Sequence, residues 1–180
     1  MTPSHHALIV LVPRQLVHAL NARVVDATHQ TIAAGFPVAL QWPLIREDQL
    51  GDMVRAFGSP DALGALRERL QVLMDADLVR MFPVATTPPG CTYVMHRRDR
   101  AVEKRATPAA VARRAREKGY DCPDPAAGVK APAARLPAIN MVSNGSERRF
   151  TLWIRTESCA PDTPPAGGTH YGLGWAVPVF

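Results

Sequence analysis

Between residues 6 and 84 the apolar residues switch between strand-like and helix-like spacing in the order β-α-β-β-α-β, and few folds satisfy that order. "HALIVLV" (residues 6–12) is a short apolar run bounded by Pro13, the mark of a buried strand. From Pro13, the residues Leu16, Leu20, Val24, Thr28 and Ile32 recur every fourth position, and Gly35 closes the predicted helix. "PVALQW" (37–42) and "DMVRAFG" (52–58) read as strands, the second by its alternation. Ser59-Pro60-Asp61 is a helix start: a capping serine, proline at the first helical position and an acid in the first turn. That helix carries Leu63, Leu66, Leu70 and Leu73, and "DLVRMFPV" (77–84) follows as a further strand. The order is that of the split βαβ, or ferredoxin-like, arrangement, so the chain is expected to be α+β. This fold serves many functions, RNA binding among them.

"TTPPG" (86–90) punctuates the chain and is expected to separate two domains, residues 1–90 and 91–180. The second is expected to be smaller and irregular. It holds a strand "CTYVMH", a helix "TPAAVARRAREKG" and a Pro/Ala/Gly-rich loop (122–137). The segment "AINMVSNGSERRFTLWIR" reads as a hairpin turning at Asn144-Gly145, and "THYGLGWAVPVF" as a last strand and tail.

The helix over 107–119 has one large apolar residue, Val111, and carries Arg113, Arg114, Arg116 and Lys118, so it is poorly suited to packing. It lies in the half of the chain that holds all the excess charge. Residues 1–94 carry 7 Lys+Arg against 8 Asp+Glu, net −1; residues 95–180 carry 14 against 8, net +6. A basic stripe of this kind attracts polyanions, nucleic acid above all. By charge alone it reads equally well as a solvated face.

At 47% hydrophobic and 21% charged residues, the chain has enough apolar material for a core. It has no apolar run long enough to span a membrane, and its start lacks the basic region of a signal peptide. Cys91, Cys122 and Cys159 are scattered and odd in number, which fits a reducing, cytoplasmic setting and no metal site. His5-His6 reads as a flexible terminal pair. No phosphate loop, zinc spacing or nucleophile elbow occurs, and no cofactor is expected.

The remaining chemistry-bearing candidates are far apart: His29 at the edge of the first helix's apolar stripe, Ser143 at the hairpin turn, and Tyr171. Taken singly they read as a boundary histidine, a turn serine and a strand tyrosine. Phe150, after Arg148 and Arg149, is either core or a stacking platform for bases.

Four segments in order, "THQTIAAG", "LGDMVRAFGSPDALGAL", "RRFTLWIR" and "HYGLGWAVPVF", together resemble the CRISPR-associated endoribonuclease of type I-F systems over the whole chain. The resemblance implies a catalytic role for His29, a ribose-positioning role for Ser143, and a role for Tyr171 in orienting the histidine. It implies that Phe150 stacks on the RNA and that the basic helix lies in the groove of a hairpin. Arg97, Arg98, Arg100, Lys104, Arg105, Arg113, Arg114, Arg116, Lys118, Arg148 and Arg149 would then face the RNA. The implied partners are a CRISPR repeat hairpin and the other subunits of a type I-F guide complex.

The implied reaction needs no metal. RNA carries its own nucleophile, the 2′-OH, and a histidine, with an unperturbed pKa of about 6.5, suits removal of its proton. The expected products are a 2′,3′-cyclic phosphate and a 5′-OH. The helix carries fewer arginines than the family's. Where the family reads bases with an arginine and an amide, this chain offers Arg100 and Glu103; a glutamate accepts from a cytosine amino group but does not replace an amide. The rival readings are a hairpin-binding subunit with a slow or dead site, serving in surveillance or guide-directed transposition, and a module whose basic half binds an acidic protein.

Overall fold

The computed structural model describes residues 4–100, 108–119, 136–143, 148–166 and 169–180. Its first half contains strands β1 (His5–Leu11), β2 (Val38–Gln41), β3 (Met53–Gly58), β4 (Val79–Met81) and β5 (Ala85–Thr86), with helices α1 (Val17–Ala33) and α2 (Pro60–Asp75). The sheet is antiparallel in the order β2-β3-β1-β4, with β5 also on β1. That is the strand order of the split βαβ unit, and the fold is α+β as the periodicity predicts.

Alternation explains how it buries itself. Ala7, Ile9 and Leu11 of β1 point to one face, beside Val54 and Ala56 of β3, and pack with Leu20, Val24 and Val25 of α1 and Leu63, Leu66 and Leu70 of α2. Each of those α2 leucines is fully buried, worth about 2 kcal/mol apiece. Ser59 caps α2 by accepting from the Ala62 N–H at 3.2 Å. The buried threonines of α1 satisfy themselves locally: Thr28 donates to the Val24 carbonyl and Thr31 to that of Ala27.

Three local expectations are corrected. A 3-10 turn (Arg14–Leu16) precedes α1, and Leu16 is exposed rather than part of the stripe. The fourth strand is shorter than residues 77–84: Pro83 has no N–H to give, so pairing with β1 breaks after β4 and resumes at β5. The pair His5-His6 is not a flexible end; both lie in β1, opposite Gly58 and Phe57.

The second half contributes β6 (Thr92–Arg98), α3 (Pro108–Glu117), β7 (Ala138–Val142), β8 (Arg149–Cys159) and β9 (Ala176–Val179). Its strands form an antiparallel sheet in the order β7-β8-β6-β9. The long β8 serves two partners in turn, β7 along Arg149–Trp153 and β6 along Ile154–Cys159. Ile139, Met141, Leu152, Ile154 and Leu173 from this half join the same apolar cluster as α1. α1 therefore packs on β7 and on the 3-10 turn Thr169–Tyr171 as well as on its own sheet. Among the described residues, no helix is long and apolar enough to cross a membrane.

Candidate functional site

α1 presents His29 at the border of its buried face, half-buried beside fully buried Thr28. The 3-10 turn comes up against this border. His29 Nδ1 lies 2.8 Å from the main-chain oxygen of His170. A carbonyl only accepts, so Nδ1 carries the proton and the neutral ring keeps its lone pair on Nε2. The Tyr171 ring stacks on His29 with centroids 4.7 Å apart and planes 24° apart. Tyr171 sits in the turn, not in a strand as its sequence context suggests.

Gly172 makes the approach possible. Its φ is +72°, and a Cβ there would stand 2.8 Å from Leu40 Cγ and 2.9 Å from Thr28 Cγ2. Its carbonyl accepts from the Leu40 N–H at 2.8 Å, which pins the turn to β2. Only glycine combines that backbone conformation with that proximity. Gly174, with φ +80°, continues the anchoring by donating its N–H to the His96 carbonyl.

From Tyr171 the constellation extends to the second sheet. Phe150 stands 6.1 Å from Tyr171, tilted by 55°, and the Arg98 guanidinium lies over the Phe150 ring at 5.5 Å. Phe150 is the register partner of Met141. Ser143 follows two positions later on the same chain, its N–H donating to the Arg148 carbonyl at the mouth of the hairpin. His29, Tyr171 and Phe150 are in direct succession; Ser143 follows the end of β7, the strand that packs against α1. The Asn144-Gly145 turn lies outside the described residues.

The basic residues divide by exposure. Arg97, Arg100, Arg113, Arg116, Lys118, Arg148 and Arg149 are exposed, whereas Arg98 is half-buried. Arg97 meets Glu157 at 3.5 Å, and Arg113 meets Glu117 at 3.6 Å on the exposed side of α3. Ala115 of α3 is buried, so the helix is packed at that position. Glu103, Lys104, Arg105 and the side chain of Arg114 lie outside the described residues.

Two features escape sequence inspection. The His170 contribution is a main-chain carbonyl, which any residue could supply; the only signal is the glycine two positions on. Asp99, almost wholly buried, receives Nε and Nη2 of Arg155 on one oxygen, and its N–H donates to the Trp153 carbonyl. This pair anchors the chain where it leaves β6 toward α3, and the neighbouring carboxylate raises the Arg155 pKa further. His96, buried next to the edge of Trp42, hydrogen-bonds Thr156 Oγ1 through Nδ1, and burial pushes its pKa down to about 4.

A depression of about 700 Å3 lies elsewhere, between Arg14, His18, Leu44 and Asp52 at the other end of α1. It lies roughly 16 Å along the helix from His29 and holds none of this constellation. A smaller groove of about 410 Å3 runs along the hairpin by Asn140, Val142, Arg149 and Phe150. Among the described residues, no group of three or more His, Cys, Asp or Glu could hold a metal ion.

The family model described as CRISPR-associated protein (Cas_Csy4) matches residues 4–180, nearly the whole chain. No curated protein gives a match to the chain.

Proposed function

Because the chain belongs to the Cas_Csy4 family of CRISPR-associated proteins, we propose that it is a metal-independent endoribonuclease that cuts CRISPR repeat precursor RNA at the base of a hairpin and retains the stem-loop product. The observation that carries this reading is the hydrogen bond from His29 Nδ1 to the His170 carbonyl, which leaves Nε2 as a proton acceptor on a half-buried ring. Nε2 takes the proton of a ribose 2′-OH as that oxygen attacks the adjacent phosphorus in line with the departing 5′-oxygen. The 5′-oxygen leaves with a proton returned by the imidazolium or by water. The products are a 2′,3′-cyclic phosphate and a 5′-OH.

The His170 carbonyl and the Tyr171 ring hold the imidazole in place on two sides. In this reading Phe150 offers a face to the base beside the cut, and Ser143 holds the ribose. Arg148 and Arg149 stand exposed at the hairpin mouth, where phosphates would pass. The exposed cations of α3 then take the two strands of the stem by their phosphates. Residues 1–90 would act as the scaffold for His29 and residues 91–180 as the RNA-reading half.

The test is a single-turnover reaction with the repeat hairpin RNA of the same locus, in EDTA. Cleavage should proceed, should stop when the nucleotide 5′ of the cut is 2′-deoxy, and should fall about 10²- to 10⁴-fold in His29→Ala with hairpin affinity nearly unchanged. Hairpin binding without cleavage by the unaltered protein would instead select a binding subunit. Parallel loss of binding and cleavage in His29→Ala would make His29 structural.

A further inference from the structure

Arg97, Arg98 and Arg100 follow one another in sequence, but the structure separates Arg98 from its neighbours. Side chains alternate along β6, so Arg97 lies on the outer face with Glu157, while Arg98 shares the inner face with buried His96. Its register partner is Ile154, and the ring under its guanidinium belongs to Phe150, four residues earlier on β8. The guanidinium thus reaches a ring four residues along β8 from its own register partner. The guanidinium then begins an unbroken series of ring contacts: Phe150 at 5.5 Å, Tyr171 at 6.1 Å from Phe150, and His29 at 4.7 Å from Tyr171.

We infer that Arg98 is a positioning residue: it holds the Phe150 ring from one side, so that the ring keeps the angle at which it meets Tyr171 and receives a base. This rests on the reading of Phe150 as the base-stacking platform of a ribonuclease. Phe150 is half-buried, and its other described ring neighbour, Tyr171, touches it at a tilt rather than flat. Part of Phe150 packs against the apolar cluster, and a cation over its face adds a further restraint on the ring's angle. Arg98 is also the last residue of β6, next to Asp99, which Arg155 clamps where the chain departs toward α3. The same short stretch therefore holds both the Asp99–Arg155 clamp and the cation over the stacking ring. An arginine suits this better than a lysine because its planar, weakly hydrated group lies on an aromatic face.

The proposal separates Arg98 from the phosphate-binding arginines by measurement. Single-turnover cleavage at saturating protein should fall about 3- to 30-fold in Arg98→Ala, and Arg98→Lys should recover only part of the loss. Hairpin affinity should change less than about threefold, and the slope of log affinity against log salt should move by well under the 0.7–0.9 of one lost phosphate contact. In a Phe150→Ala background, Arg98→Ala should have no further effect beyond about twofold. Additive losses, full rescue by lysine, or a salt slope changed by a whole contact would overturn the assignment and make Arg98 another phosphate ligand. An arm without RNA keeps the outcome separate from the enzymatic reading. In the free protein, the Arg98 Nε–H resonance should be shifted upfield by the ring and should return in Phe150→Leu. If that shift is present and no cleavage occurs, the enzymatic reading fails while the contact stands. If the shift is absent, Arg98 does not hold the ring. A melting curve on Arg98→Lys checks that the fold survives.

Discussion

His29 and His170 are 141 positions apart in sequence, yet the ring of one donates to the carbonyl of the other at 2.8 Å. The bond joins α1, in the first half, to a turn between β8 and β9 of the second sheet. It fixes one tautomer, and with it which ring nitrogen keeps the lone pair. Everything that places the turn therefore acts on the chemistry of the ring.

Gly172 is the first such element. Alanine there would meet both an unfavourable φ of +72° and neighbours at 2.8 and 2.9 Å, Leu40 Cγ and Thr28 Cγ2. Gly172→Ala should cost about 2–4 kcal/mol and lower Tm by roughly 5–12 °C. Cleavage measured well below that Tm should also fall, because the turn must move away from α1. Gly35→Ala is the comparison: its φ is +92° but nothing lies within 4 Å, so it should cost about 1–2 kcal/mol. Equal effects of the two changes would show that the close approach at Gly172 has no importance.

Tyr171 acts on His29 through its face, at a centroid separation of 4.7 Å. Tyr171→Phe keeps that face and should cleave within about threefold of the unaltered protein. Tyr171→Leu loses the aromatic contribution, and its rate should fall roughly 2- to 12-fold beyond any effect on stability. A large loss in the phenylalanine variant would assign the role to the hydroxyl instead, and single-turnover rates decide the matter.

Much of this architecture is legible in the sequence because two periods carry it. Spacing of four in Leu20, Val24 and Thr28 and alternation in Val54, Ala56 and their partners both reflect burial on one face, and burial is what holds the elements. The broken edge at Pro83 and the 3-10 turn at Tyr171 are less visible, since they depend on which N–H a strand must give and how close a helix comes. The site is harder still. His29, Ser143 and Tyr171 are suggested by resemblance, whereas the geometry that defines His29 uses a main-chain oxygen with no residue signature. Arg97 and Arg98 look identical in sequence and differ only through the pleat of β6.

His96 gives the fold a pH dependence. Its folded pKa is about 4 against an ordinary 6.5, because burial disfavours the charged ring. The unfolded chain therefore binds the extra proton between those values, and stability falls as pH drops from about 6.5 to about 4, with no His96 effect above that window. The full loss is at most about 3 kcal/mol. Urea midpoints at pH 7.5 and 4.5 should differ markedly in the unaltered protein and less in His96→Gln. Some dependence should remain, since burial and Arg55 also lower the His6 pKa. An unchanged pH difference in His96→Gln would mean that the ring is solvated.

Buried Ala115 seats the helix α3, while Arg113, Arg116 and Lys118 stay exposed, so alanine at the arginine positions should leave the helix in place. Each phosphate contact contributes about −0.7 to −0.9 to the slope of log affinity against log salt. Replacing Arg113, Arg114 and Arg116 together should therefore flatten the slope by about two units for the repeat hairpin and weaken binding most at low salt. Glu117→Gln should act in the opposite direction. It frees Arg113 from a partner at 3.6 Å and removes a negative charge from the same face. The gain should be small, since an exposed pair of this kind is worth about 0.3–0.5 kcal/mol. If the triple variant keeps its affinity and its slope, α3 is a solvated face. The RNA would then have to be held by Arg97, Arg100, Arg148 and Arg149, and replacing those four should abolish the salt dependence that the helix left intact.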